Sequence, residues 1–66
     1  MLNSNQTIML SRKIRDIAKH AKTKKTLSSV VVKQRKIVSS SSAKKLAMSE
    51  AKKTLRVVEI RRRQLQ

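Results

Sequence analysis

Asp16 and His20 form the one pair of side chains with acid–base potential, and they lie one helical turn apart. His20 is the only histidine, so no other neutral base could activate one of the nine serines. Catalysis also needs a shaped, partly dry pocket, and on an exposed helix this spacing is more typical of a surface pair. The chain contains no glycine, which excludes a glycine-rich phosphate loop. We therefore predict no catalytic residues and no enzymatic activity.

Metal and cofactor chemistry lacks the ligands that it would need. The chain has no cysteine, one histidine and three acids, so disulfides and thiolate zinc sites are excluded. Each acid precedes a cation by three or four residues, a spacing that supports a helix. The expected pairs are Asp16 with Lys19, Glu50 with Lys53, and Glu59 with Arg62 and Arg63. We predict that these pairs lie on a solvated face, and that the protein holds no metal and no cofactor.

Eighteen lysines and arginines against three acids give a formal charge of +15 over 66 residues. Such cations neutralise phosphates and release condensed counterions, which supplies most of the non-specific affinity for nucleic acid. No aromatic residue is present to stack on unpaired bases, so backbone recognition of structured RNA or duplex DNA is favoured over base reading. The cations occur in every segment, as expected for a chain surrounded by phosphate. The predicted RNA-binding residues are Arg12, Lys13, Arg15, Lys19, Lys22, Lys24, Lys25, Lys33, Arg35, Lys36, Lys44, Lys45, Lys52, Lys53, Arg56, Arg61, Arg62 and Arg63.

Helices are the elements predicted to position these charges, since no glycine or proline interrupts the chain. The first helix is expected at residues 5–25, with Ser4 or Asn5 as its cap. Its apolar residues recur at the helical period and are Leu10, Ile14, Ile17, Ala18 and Ala21.

The middle of the chain is harder to interpret. Residues 22–26 lose the apolar face and are expected to form a hinge. Residues 27–38 are ambiguous, because three consecutive valines favour a strand whereas Leu27, Val31 and Val38 lie at helical spacing. A strand without a partner is unstable in water, so we choose helix. Four serines at residues 39–42 predict a linker that caps the next helix.

The last helix is expected at residues 43–65, where apolar residues follow a heptad-like spacing that is broken at Arg62. This apolar seam could pack against the first helix in a hairpin, or each apolar face could dock on a neighbouring protein. The predicted protein-interface residues are Leu10, Ile14, Ile17, Met48, Ala51, Leu55 and Val58.

Together these segments predict an all-α fold of one small chain with two to three extended, amphipathic, basic helices. A chain of this length buries only about 60% of its unfolded surface, and its core is limited to aliphatic side chains. Repulsion among the cations further opposes compaction. We expect little independent core, and folding that is completed on an RNA or protein partner.

Membrane and secretory segments are not predicted. No apolar run approaches the roughly 18 residues of a membrane span or the length of a signal-peptide core, so we expect a chain that is neither transmembrane nor secreted. A membrane partner is not expected either, because the apolar faces are thin and rich in alanine. The first 38 residues are basic and contain one acid, Asp16, a composition typical of mitochondrial targeting. We therefore favour a mitochondrial over a cytosolic location.

Pairs of adjacent basic residues occur along the whole chain, on segments with the pattern of amphipathic helices. These features are the basis of a resemblance to a broad class of proteins. In composition and helix pattern the chain resembles the small, aromatic-poor, Lys/Arg-rich helical proteins that lie among ribosomal RNA helices. No residue motif accompanies the resemblance, so it transfers no sites. It implies a structural ribosomal protein that bridges rRNA and neighbouring ribosomal proteins. Two alternatives stay open: a DNA-binding architectural protein that dimerises through the last helix, and an amphipathic peptide that binds a membrane surface or another anionic partner.

Overall fold

Three α-helices and no strand are found in a computed structural model that describes all 66 residues. Helix α1 spans Ser4–Lys19, α2 spans Lys24–Ser40 and α3 spans Lys44–Gln64. The all-α prediction is confirmed. Each helix packs against the other two in a bundle of 36 × 15 × 15 Å, rather than extending separately. Short connections reverse the chain twice, so α1 and α3 run in the same direction.

Helix α1 begins with a capping box and ends earlier than expected. The Asn3 side chain accepts the Gln6 N–H at 2.8 Å, and the Gln6 side chain accepts the Asn3 N–H at 3.0 Å. This reciprocal pair satisfies two N–H groups that lack partners within the helix, so the cap is Asn3 rather than Ser4 or Asn5. After Lys19 the chain leaves the helix, and Arg61 Nε of α3 donates to the Ala21 carbonyl at 2.7 Å. That contact holds the connection against α3.

Helix α2 settles the ambiguous segment, because residues 27–38 lie wholly within it. The choice of helix over strand is confirmed. Thr23 caps the start, with its Oγ1 accepting the Thr26 N–H at 3.2 Å. The structure places Ser39 and Ser40 in the last turn of α2, which shortens the expected 39–42 linker to residues 41–43. Lys44 Nζ donates to the Val38 and Ser39 carbonyls at 2.8 and 2.9 Å, which satisfies two acceptors at this helix end.

The N-terminal residues bind the connection between α2 and α3. The Leu2 N–H donates to the Ser40 carbonyl at 2.7 Å, and the Ser42 N–H donates to the Leu2 carbonyl at 2.9 Å. Together they form an isolated parallel bridge between Leu2 and Ser41. The chain start thus fastens the end of the bundle that lies opposite the α1–α2 connection.

Polar side chains occupy a large share of the bundle core. The buried apolar residues are Ile14, Ala18, Ala21, Leu27, Val30, Ile37, Ala47 and Val58. The buried polar or charged residues are Thr7, Ser11, Gln34, Ser41, Glu50 and Thr54. The apolar part is a set of small and medium aliphatic side chains, so the core is modest in size.

A hydrogen-bonded polar layer crosses the bundle and takes one residue from each helix: Ser11, Gln34 and Thr54. Gln34 Nε2 donates to Ser11 Oγ at 3.2 Å, and Gln34 Oε1 accepts from Thr54 Oγ1 at 2.7 Å. Buried polar groups are costly unless they find such partners. Only one rotation of each helix brings these three side chains together, so the layer determines the register of the bundle.

Helix α3 turns a different face inward from the one that its apolar spacing predicts. Its buried positions are Ala47, Glu50, Thr54 and Val58. Of the predicted seam of Met48, Ala51, Leu55 and Val58, only Val58 is buried, since Met48 and Leu55 are 56% and 44% exposed and Ala51 is half-buried. Three of the four buried positions lie one residue before the predicted ones and Val58 is common to both sets, so the inward face is rotated by roughly 75°. The physical reason is that Thr54 must face inward to reach Gln34.

The expectation that all three acids lie on a solvated face is wrong for Glu50. This residue is buried, with only 4% of its surface exposed. Its Oε1 lies 2.8 Å from Arg15 Nη1 of α1, and its Oε2 lies 3.3 Å from Lys53 Nζ. Arg15 Nη1 also donates to the Glu50 carbonyl at 3.3 Å. Burial by itself raises the pKa of Glu50, but the contacts with Arg15 and then Lys53 outweigh burial, so the pKa is lowered.

The lowered pKa predicts acid-dependent loss of stability. The unfolded chain binds a proton on residue 50 more readily than the folded chain does, so the contribution of Glu50 is fully present above the unfolded pKa. It is lost as the pH falls through the folded pKa. We expect Glu50→Gln to lower the unfolding free energy at pH 7 by about 1–3 kcal/mol and to have much less effect near pH 2. Chemical denaturation across this pH range, followed by circular dichroism, measures both.

Glu59→Gln is the matched control, because Glu59 is exposed and forms no ion pair. It should change the unfolding free energy by less than about 0.5 kcal/mol at either pH. Equal losses for the two variants would contradict the assigned role of Glu50.

Candidate nucleic-acid interface

The predicted RNA-binding cations lie on all three helices, and one of them, Lys22, lies on the α1–α2 connection. Sixteen of the eighteen are exposed, and the other two, Arg15 and Arg61, are half-buried. No side of the bundle is without them, because each helix turns one face inward and carries its lysines and arginines on the rest of its surface. The structure therefore presents a basic shell rather than one basic patch.

Four of these cations are bound by the protein itself. Arg15 and Lys53 contact Glu50, Arg61 donates to the Ala21 carbonyl, and Lys44 donates to carbonyls at the end of α2. These contacts join α1 to α3 and hold both connections. The remaining fourteen of the eighteen have no acceptor within the protein, so their charge is directed to solvent.

The outer surface of α3 carries the longest regular series of cations. We call Lys45, Lys52, Arg56 and Arg63 the α3 stripe. At about 100° per residue these positions fall within an arc of roughly 40° on the side opposite the buried positions of α3. All four are exposed, and at about 1.5 Å per residue the stripe is roughly 27 Å long. Its spacing of seven, four and seven residues suits an extended row of phosphates.

Acids interrupt the shell at two places. Asp16 lies among the exposed cations of α1, and Glu59 lies near Arg56 on the outside of α3. The predicted pairs of Asp16 with Lys19 and of Glu59 with Arg62 and Arg63 are not formed. Helix α2 contains no acid at all. Exposed cations outnumber exposed acids on each of the three helices.

Asp16 and His20 do approach one another, with 3.8 Å between Oδ1 and Nε2. Their side chains are 75% and 79% exposed, and no serine hydroxyl is hydrogen-bonded to either. The arrangement provides no enclosed volume in which His20 could accept a proton from a nucleophile. No group of three or more His, Cys, Asp or Glu side chains is placed to hold a metal ion.

The predicted protein-interface residues divide into two groups. Ile14 and Val58 are buried within the bundle, so in this fold they serve the core. Leu10, Ile17, Met48 and Leu55 are exposed, and Ala51 is half-buried. The structure brings Ala51 and Leu55 together with Val31 and Val38 of α2 along one groove. These two valines were missing from the predicted interface, although their seven-residue spacing is a signal for one helix face.

None of the three helices combines the length and the apolar character that crossing a bilayer requires. The chain matches no protein-family model, no curated protein and no solved structure. Its candidate sites therefore rest on its own residues and their geometry.

The α3 stripe predicts a specific change in the salt dependence of binding to a nucleic-acid duplex. Replacing Lys45, Lys52, Arg56 and Arg63 together with glutamine should reduce the slope of log K against log salt by roughly 3 to 4, since each lost phosphate contact contributes about 0.9. Fluorescence anisotropy with a short labelled RNA duplex, repeated at several salt concentrations, measures this slope.

A charge-matched variant tests whether position matters. Replacing Arg12, Lys13, Lys19 and Lys22 with glutamine removes the same four charges from α1 and the α1–α2 connection, where they do not form one row along a helix. This variant should reduce the slope by less than the α3 variant does. Equal reductions would show that binding depends on net charge alone, and the stripe would lose its assignment.

Proposed function

We propose that this protein is a non-catalytic, structural RNA-binding protein that contacts the phosphate backbone of structured RNA and bridges it to neighbouring proteins. The single observation that carries the proposal is the set of fourteen cations without an acceptor in the protein, distributed over every side of the bundle. A protein that binds one duplex face needs charge on one side. A shell of charge suits a site enclosed by RNA helices, which is the setting of a small ribosomal protein.

The absence of aromatic residues supports backbone recognition. Single-strand binders stack bases on Phe, Tyr or Trp, and this chain could offer only arginine planes or His20. Lysine and arginine contacts to phosphate position a protein without reading sequence. Specificity would then come from the shape of the folded RNA and from the proteins beside it.

Phosphate binding also relieves a cost of the fold. Three helices that carry +15 in a small bundle repel one another, while the core that opposes this repulsion is small and partly polar. Any partner that binds only the folded state stabilises it by mass action. We therefore propose that the bundle reaches its full order on the RNA. The basic, acid-poor first half of the chain supports a mitochondrial over a cytosolic ribosome.

The alternative of a DNA-binding protein that dimerises through α3 is less well supported. That dimer would use Met48, Leu55 and Val58, and Val58 is buried inside the bundle. Its apolar seam is therefore discontinuous on the surface. The experiment below treats this alternative as one of its outcomes.

Sedimentation of a tagged chain tests the proposal. In a lysate at moderate salt, the chain should migrate with a ribosomal subunit on a sucrose gradient, and RNase should release it. The variant without the α3 stripe should dissociate at lower salt than the wild type. RNase-resistant migration with DNA or with membranes would overturn the proposal and support the corresponding alternative.

A further inference from the structure

A groove of about 410 Å³ runs between α2 and α3 on the surface of the bundle. Its apolar lining comes from Val31 and Val38 of α2 and from Ala51 and Leu55 of α3. The two valines are separated by two helical turns, and Ala51 and Leu55 by about one. Aliphatic side chains on two antiparallel helices thus form one elongated apolar floor.

The groove is a consequence of the polar layer. Thr54 faces inward to reach Gln34 at 2.7 Å, and this rotation moves Leu55 outward onto the edge of α3, where 44% of it is exposed. Met48 lies further along the same side of α3 and is also exposed. No part of the chain covers these side chains. With the half-buried Val31, Val38 and Ala51, these exposed side chains form a contiguous apolar row that is open to solvent, a feature that marks interaction sites.

Charge around the groove limits what that partner can be. Arg35 lines the groove and no acid does. The adjacent surface of α3 carries three cations, Lys52, Lys53 and Arg56, against one acid, Glu59, so it is positive as well. A second copy of this chain would bring another +15 to the same surface and would be repelled. RNA would satisfy the cations, but its bases gain little from a floor of valine, alanine and leucine, which offers no stacking surface.

We propose that the α2–α3 groove binds an acidic amphipathic helix from a neighbouring protein. A helix laid along the groove would place apolar residues at three- and four-residue spacing on the floor, and its flanking Asp or Glu side chains would meet Arg35, Lys52 and Arg56. This inference deepens the proposed bridging function and rests on it for the partner being a protein. It assigns the RNA to the α3 stripe and the protein partner to the groove, and Lys52 and Arg56 of the stripe border the groove.

A designed peptide provides the probe. A labelled helical peptide of about 18 residues, with leucines along one stripe and glutamates on both flanks, is titrated with the full chain at about 0.15 M salt and followed by fluorescence anisotropy. Leu55→Ser should weaken binding by about tenfold or more, as expected when a buried leucine contact is lost. Arg35→Glu should weaken it as well. Circular dichroism verifies that both variants fold.

Ile17→Ser is the matched control, because Ile17 lies on α1 and is exposed to the same extent as Leu55, at 44%. It should change the affinity by less than about twofold. A peptide of identical composition, permuted so that its leucines no longer share a face, should bind at least about tenfold more weakly. Equal binding of the two peptides, or equal effects of Leu55→Ser and Ile17→Ser, would overturn the proposal.

Other occupants of the groove have their own signatures. A dimer in sedimentation equilibrium that Leu55→Ser abolishes would replace the acidic helix with a second copy of the chain. Binding to anionic phospholipid vesicles that requires Leu55 would replace it with a membrane surface. RNA-duplex binding is measured on the same Leu55→Ser variant and should equal that of the wild type. A wild-type chain that binds RNA but not the acidic peptide would reject the groove assignment alone, whereas a wild-type chain that does not bind RNA would reject the proposed function.

Discussion

The hydrogen bond from Thr54 to Gln34 is the contact on which the arrangement of the bundle depends. It lies inside a small core, where the Gln34 amide oxygen would cost about 1–3 kcal/mol if left unpaired, whereas the Thr54 hydroxyl also has the Glu50 carbonyl at 3.1 Å. The hydrogen bonds that join Ser11, Gln34 and Thr54 form in only one rotation of α3 about its axis. In that rotation Val58 lies inside the bundle, Leu55 lies at the groove and the α3 stripe lies outside. Aliphatic packing alone would specify the register less sharply, since cores tolerate rearranged aliphatic side chains when total volume and patterning are kept.

Ionic contacts extend this constraint from the core to the surface. Glu50 follows the same inward face as Thr54, and it holds Arg15 of α1 at 2.8 Å and Lys53 of its own helix at 3.3 Å. Further along α3, Arg61 donates a hydrogen bond to the Ala21 carbonyl in the connection that follows α1. Three of the cations that would otherwise repel their neighbours thereby become attachments between or along helices. The bundle uses a few charges for its own cohesion and leaves the others to solvent.

The sequence allowed the helices to be predicted, but not the face that α3 turns inward. A chain without glycine or proline favours helix throughout, and so the middle segment was assigned correctly despite its valines. The spacing of apolar residues in α3 predicts that Met48 and Leu55 face inward, because such spacing takes no account of buried polar residues such as Glu50 and Thr54. Those residues are inside owing to partners on other helices, Arg15 and Gln34, which are distant in sequence. The end of α1 was likewise missed, because its connection is held by Arg61.

One rotation of α3 thus gives that helix three surfaces with different chemistry. Its inner face joins the polar layer, its outer face carries the α3 stripe, and the edge towards α2 carries the apolar side of the groove. Stripe and groove are adjacent but do not share residues, so a phosphate backbone could lie on the first while a helix occupies the second. Since Lys52 and Arg56 belong to the stripe and also border the groove, their charge would be shared by the two partners. Binding of one partner would then reduce the positive field that attracts the other. In the complex with both partners, the binding free energy would come mainly from the apolar floor and from the cations that contact only one partner.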